Sequence, residues 1–143
     1  MSVISEIELD KQIKLFTTSR NFEAGLFFAN GLSLTASTPY STFVLKEVSA
    51  TQGGYARLSY TYTDSDIQIL AGKAVTAQKY LQWVHNGNAN LMRFDTLVVF
   101  ERFAAQPLDI VNPVSIHPLG ATQELASGGN ILRISLQVNL KTQ

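Results

Sequence analysis

The chain has 143 residues, 45% hydrophobic and 15% charged, with eleven bases, eleven acids and no cysteine. Zero net charge argues against a nucleic-acid partner, which needs clustered Lys and Arg to displace counterions. The lack of cysteine excludes a disulfide framework and any thiolate nucleophile or metal ligand. Charge this sparse, where about 25% is typical, fits either a polar, uncharged β-surface or a chain that buries much of its outside against partners.

Residues 1–12 read as an N-terminal arm. The first ten residues hold Glu6, Glu8 and Asp10 and no base, which leaves eleven bases against eight acids in the rest. Ser5 and Glu8 have capping-box spacing, and Asp10 and Lys14 are four apart, as in a helix. Ile7 and Leu9 nevertheless alternate with the acids, as in a strand. The favoured reading is an extended arm leading into a strand around Ile13–Thr17. No run approaches 18 apolar residues, and no basic segment precedes an apolar one. Neither a membrane span nor a signal peptide is expected, and synthesis in a cytoplasm is the default.

Further along, Asn30-Gly31 between apolar pairs has the signature of a tight hairpin turn, because both positions tolerate positive φ. Residues 42–50 are β-branched and strand-like. The stretch 52–66 alternates strictly, with Ala56, Leu58, Tyr60 and Tyr62 on one face and Tyr55, Arg57, Ser59, Thr61 and Thr63 on the other. The first face is assigned to the inside of a sheet. Ile67–Leu70 reads as a strand ended by Ala71-Gly72, and residues 79–85 as another ended by the turn cluster 86–90. Leu97–Phe100, four apolar residues in a row, predict a strand buried on both faces. Pro107, Pro113 and Pro118 predict turns over 105–120. From 130 to 141, Leu132, Ile134, Leu136, Val138 and Leu140 share one face of a half-buried strand. Many short strands with frequent turn signals predict an all-β antiparallel β-sandwich, jelly-roll-like, as a single domain over 13–143.

Motifs for chemistry are scarce. His85 and His117 lack the spacing of a zinc site and read as satisfied surface histidines. Asp64 and Asp66 read as turn caps rather than calcium ligands, and Gly128-Gly129 precedes a strand and so reads as a turn. No nucleophile elbow or phosphate loop occurs, so neither catalytic residue, metal nor cofactor is expected, and the chain reads as no enzyme. Tyr55, Tyr60, Tyr62, Tyr80 and Trp83 suit a sugar-stacking platform or a core and interface role; core or interface is favoured, because Tyr60 and Tyr62 share a face with Leu58.

The order of KLFTT (14–18), AGLFFANGLSL (24–34), GGYARLSYTY (53–62), YLQWVH (80–85), DTLVVFERF (95–103) and SGGNILRISLQVNL (127–140) resembles small bacteriophage virion proteins of the tail-fibre or decoration type. The likeness runs from Lys14 onward. It implies a β-sandwich with a non-enzymatic structural role in a virion assembled in the host cytoplasm. It further implies a homo-oligomer, a trimer being favoured, that binds the major capsid protein or tail proteins through flat β-surfaces and a terminal arm. Capsid cement is put ahead of a tail or tail-fibre component, and a carbohydrate-binding module is the alternative from another class. The interface is assigned to Ile4, Ile7 and Leu9 on the arm and to Tyr55, Arg57 and Arg133 on the body. No nucleic acid and no membrane is expected as a partner.

Overall fold

The computed structural model describes residues 6–18, 20–103, 110–126 and 130–141. Among the described residues the chain is mostly strand, with antiparallel sheets and two short helices, an all-β, sandwich-like fold. The contacts divide it into two compact units, each assembled from separated stretches of chain. The first contains residues 1–21, 60–81 and 134–143, and the second residues 22–59 and 82–133. The sequence alone predicts a single domain over 13–143.

In the first unit the hairpin β3 (Ile67–Leu70) and β4 (Lys73–Thr76) turns at Ala71-Gly72, as predicted, and β9 (Asn139–Lys141) adds to β4. Helix α1 (Glu6–Thr17) buries Leu9 and Ile13 against Ala74, with Ile67, Ile69, Val138 and Leu140 around them. This overturns the extended arm and the strand at Ile13–Thr17. Leu9, Ile13 and Thr17, four apart, form a buried ridge whose Leu9 and Ile13 meet the sheet, and burial of that ridge decides the conformation over the local alternation. Lys14 reaches Asp10 at 2.9 Å, the i,i+4 pair the spacing predicts. Ser5, the proposed cap, lies outside the described residues. A chain cut after residue 12 would lose Leu9 from this core, so the segment is no detachable arm.

A 3-10 turn (Asp64–Asp66) precedes β3. The Asp66 carboxylate accepts the Thr63 N–H at 2.8 Å and pairs with Lys79 at 3.0 Å, the capping role expected for it. Tyr62 is buried in this unit, edge-on to the half-buried Tyr60. The inward assignment therefore holds fully for Tyr62 and in part for Tyr60 and, in the second unit, Leu58; Ala56 is exposed and the strand is short.

The second unit is built on a four-stranded sheet, in the order β2 (Leu58–Tyr60), β1 (Asn21–Phe27), β6 (Met92–Phe103), β7 (Ile110–Leu125). Leu97 to Phe100 on β6 are all buried, as their unbroken apolar run predicts. Residues 42–50, read as a strand, instead open with helix α2 (Tyr40–Lys46). Pro39 begins it: its carbonyl accepts the Thr42 N–H at 2.9 Å and, at 3.3 Å, that of Phe43. Phe43 is the residue that α2 buries, edge-on to Phe27 and Phe100 at centroid distances of 6.0 and 5.4 Å. That aromatic contact overrides the β-preference of Thr42 and Val44.

Pro113 and Pro118 do not break the chain into turns; both lie within β7, at the edge of the sheet. An edge strand has donors that no neighbour needs, so proline is tolerated there. Both prolines border irregularities in the register with β6, one between Val99 and Phe100 and one between Phe94 and Thr96. Pro107 lies outside the described residues. Asn30 and Gly31 have the positive φ values of 49° and 88° expected of a tight turn, closed by the Leu32 N–H on Ala29 O at 3.1 Å. No strand follows, so the turn is not a hairpin. Asp95 on β6 holds it by accepting the N–H groups of Ala29 and Asn30 at 2.8 and 2.9 Å.

Strand β8 (Ile131–Leu136) pairs with β5 (Lys79–Val84), while β9 joins a different sheet. The stretch read as one strand is thus two, interrupted at Gln137 and Val138, although the alternation of exposure runs through both as predicted.

Candidate functional site

The most concentrated chemistry lies in the second unit, where the Gly53-Gly54-Tyr55-Ala56-Arg57 segment enters the sheet. Arg57 donates from Nε to Glu47 Oε2 at 2.7 Å and from Nη2 to Glu47 Oε1 at 2.9 Å, a two-pronged pair. Its Nη1 lies 3.5 Å from Glu23 Oε1, an ion-pair contact outside hydrogen-bond alignment. Glu23, on β1, is in turn gripped by Arg102 on β6, at 2.7 and 3.0 Å. Two carboxylates and two guanidiniums thus balance. The Arg57 plane sits 4.6 Å from the centre of the Phe100 ring and 5.4 Å from that of Tyr40. Tyr55 donates its hydroxyl to Glu47 at 2.5 Å and accepts the Leu26 N–H at 3.1 Å.

These contacts settle what each group can do. Burial disfavours the Arg57 charge, yet the Glu47 carboxylate outweighs it and holds the guanidinium protonated above its ordinary range. Burial and the bond to Glu47 push the Tyr55 phenol well up, so it stays a neutral donor. The Arg102 bonds hold the Glu23 carboxyl below its usual range, against the opposing effect of burial. Every charge is matched internally, and no nucleophile stands beside a base in this network. Its work is to pin the Gly-Tyr-Ala-Arg segment to β1, β6 and the end of α2.

A second polar cluster ties the loop 49–54 to the loop 85–91. His85 is buried, not a surface histidine as expected. Its Nδ1 accepts the Gly87 N–H at 3.0 Å, which leaves Nε2 to donate to Asn90 O at 2.7 Å. Asn88 and Asn90 donate their side-chain amides to Thr51 O, and Gln52 donates to Leu91 O. Gly53, at φ +65°, lies against the imidazole: a Cβ there would stand 2.5 Å from His85 Cδ2. The histidine therefore serves as a loop staple. His117 is exposed and meets Ser115 Oγ at 2.9 Å. Among the described residues, no group of three or more His, Cys, Asp or Glu is placed to hold a metal ion, and no helix is long and apolar enough to cross a membrane.

An open cleft of about 600 Å³ adjoins this junction, with Phe28, Lys46, Gln52, Asn90 and Arg93 in its walls. Its Glu47 is already taken up by Arg57 and Tyr55, and its Arg93 by Glu124 at 3.0 Å.

The interface residues named from the sequence are scattered. Tyr55 is buried and Arg57 nearly so, because the ion network draws both inside; they are not subunit-contact surface. Leu9 is buried in the core of the first unit. Ile7 is exposed on α1, and Arg133 is exposed on β8, where it donates to Gln82 Oε1. Ile4 lies outside the described residues. Trp83 is buried, with its Nε1–H on Ala56 O at 2.9 Å, and Tyr62 is buried too. Of the tyrosines weighed for sugar stacking, Tyr80 is the most exposed. The sequence reading missed Glu23, Glu47 and Arg102. The available signal was an acid between Phe22 and Ala24 and a base next to Phe103, in a chain that spends charge sparingly.

The depressed carboxyls predict an acid limb in stability. Glu23 is held down by Arg102. Asp95 is held down by the Ala29 and Asn30 N–H groups and the Thr96 hydroxyl, which together overcome the opposing pull of burial. Folded values below the unfolded ones, 4.5 and 3.8, mean stabilisation that is complete above those values and disappears as pH falls through the depressed ones. The urea midpoint of Trp83 fluorescence is expected to be level with respect to these two groups from pH 7 to about 5 and to fall below that. Glu23→Gln should flatten part of the fall; an unchanged acid limb in that variant would contradict the assignment.

No family model, curated protein or solved structure matches the chain.

Proposed function

We propose that the chain is a non-catalytic structural subunit of a bacteriophage particle, a capsid cement or decoration protein ahead of a tail or tail-fibre component. The observation that carries this reading is the set of large apolar side chains left on the surface of both units. In the first, Ile7 is 73% and Leu15 77% exposed; in the second, Leu45 is 82% exposed beside the half-exposed Val44. A chain with few charges that leaves such residues outside, while its buried carboxylates and guanidiniums neutralise one another, is built to be covered. Such a subunit contributes by contact area: a specific interface buries about 1,200–2,000 Å², and repeated contacts hold a shell against internal pressure. The burial of Tyr55, Tyr62 and Trp83 weighs against the carbohydrate-binding alternative.

The test is native mass spectrometry of the purified chain, followed by co-sedimentation with purified bacteriophage shells and, separately, with purified tails. Trimers or larger rings that pellet with shells are the expected result. Pelleting with tails instead would move the subunit to the tail. A chain that stays monomeric at its highest attainable concentration and remains in the supernatant with both would end the proposal.

A further inference from the structure

We propose that Asn86-Gly87 is a self-modification site, at which His85 serves as the base for closure of the Asn86 side chain onto the backbone. The chain holds two Asn-Gly pairs, Asn30-Gly31 and Asn86-Gly87. Both are exposed, and their glycines have positive φ values of 88° and 92°. A glycine has no Cβ to hinder approach of its nitrogen to the preceding side-chain amide. At Asn86 the chemistry for that approach is in place. The Gly87 N–H points at His85 Nδ1, 3.0 Å away, so the proton to be removed already sits on its acceptor. His85 Nε2 donates to Asn90 O at 2.7 Å, which leaves Nδ1 without a proton and supports the imidazolium that forms. The Asn88 N–H donates to Asn86 Oδ1 at 3.0 Å, the oxygen on which negative charge develops during attack. Asn86 is anchored by its own N–H on Gly53 O at 2.9 Å, and Gly54 leaves room for its amide, since a Cβ there would stand 2.7 Å from Nδ2. At Asn30 the nearby acceptor is the Asp95 carboxylate, and it takes the N–H groups of Ala29 and Asn30 rather than that of Gly31.

The reaction needs no co-reactant but water. His85 Nδ1 takes the Gly87 amide proton as that nitrogen bonds to Asn86 Cγ. The tetrahedral centre expels Nδ2, which leaves as ammonia with the proton that His85 returns, and a succinimide ring remains. Water opens the ring at either carbonyl and leaves aspartate or isoaspartate at position 86. Either product adds a negative charge to a chain of zero net charge. Isoaspartate also routes the main chain through the former side chain, which lengthens it by one carbon and moves the Gly87 N–H off His85. The site is thus a slow, one-way change built into the junction of loops 49–54 and 85–91, which His85 staples.

The test holds the purified chain at neutral pH in heavy-oxygen water, either folded or unfolded in guanidinium chloride, and follows both Asn-Gly pairs by mass spectrometry after trypsin digestion. Asn86 falls in the peptide from Tyr80 to Arg93 and Asn30 in that from Asn21 to Lys46; fragmentation separates Asn86 from Asn88 and Asn90. A fold without a base slows ring closure, because it restricts the approach that closure needs. Asn86 should instead convert at least about tenfold faster folded than unfolded, and Asn30 no faster folded than unfolded. His85→Asn places an amide oxygen where Nδ1 was, so it accepts the Gly87 N–H but is no base. It should slow Asn86 at least about tenfold and leave Asn30 unchanged. A histidine that only pins the loop predicts the opposite sign, since a loosened loop closes the ring more readily. Trp83 fluorescence and far-ultraviolet circular dichroism check the fold of the variant; if it does not fold, the folded and unfolded rates of the wild-type chain decide alone. An Asn86 rate no higher folded than unfolded, or one kept or raised in folded His85→Asn, would overturn the proposal.

Discussion

Replacing Arg57 by Met is expected to lower the unfolding free energy by about 3–5 kcal/mol. The measure is the shift of the urea midpoint followed by Trp83 fluorescence, whose indole lies in the same unit. The size follows from what the variant leaves behind. Glu47 keeps only the Tyr55 hydroxyl, and Glu23 keeps only Arg102, each carboxylate largely cut off from water. A buried pair adds little net stability over a well-packed apolar substitute; removing one partner is costly because the other charge stays buried. The double variant Arg57→Met with Glu47→Gln should therefore lose less than the sum of the two single losses. Arg57→Lys keeps the charge but not the two-pronged geometry, and should fall between wild type and Arg57→Met. A loss below about 1 kcal/mol for Arg57→Met, the range of an exposed ion pair, would show that water reaches the network.

The ion network also marks where sequence reading stops. Arg102 and Glu23 are 79 residues apart in the chain, and nothing local connects them. The alternation puts Tyr55 and Arg57 on one face, opposite Leu58, Tyr60 and Tyr62, and so assigns them to subunit contacts, whereas the fold turns both inward onto Glu47. Elements whose signal is local were legible: the β3–β4 turn at Gly72, the apolar run of β6, the capping role of Asp66 and the alternation from 131 to 140. Elements decided by a distant partner were not. Helix α1 forms because one ridge finds the β3–β4–β9 sheet, and α2 because Phe43 finds Phe27 and Phe100. The interruption between β8 and β9 was hidden for a related reason. Alternation records which side of a strand is covered, and it continues unchanged when the covering sheet changes.

Phe100→Ala is expected to cost about 3–5 kcal/mol, and the way it combines with Arg57→Met is more informative than the loss itself. Phe100 is fully buried, with edge contacts to Phe27 at 5.8 Å, Phe43 at 5.4 Å and Tyr40 at 5.8 Å between centroids. Removing the ring leaves those three aromatics around a void that the rigid sheet cannot close, so the cavity adds to the lost transfer energy. The same ring lies under the Arg57 guanidinium at 4.6 Å. A desolvated cation over an aromatic face is worth about 2 kcal/mol, and both single variants lose it. The double variant should therefore be less destabilised than the sum by about 1–2 kcal/mol. Phe100→Leu refines the point: it keeps most of the volume and loses the face, so its own cost is smaller while its coupling to Arg57→Met is retained. Additivity within about 0.5 kcal/mol would separate the ion network from the aromatic core and make Arg57 an anchor for carboxylates alone. Coupling of the expected size would make the Gly-Tyr-Ala-Arg segment the point where the charged and the aromatic halves of the second unit are held together.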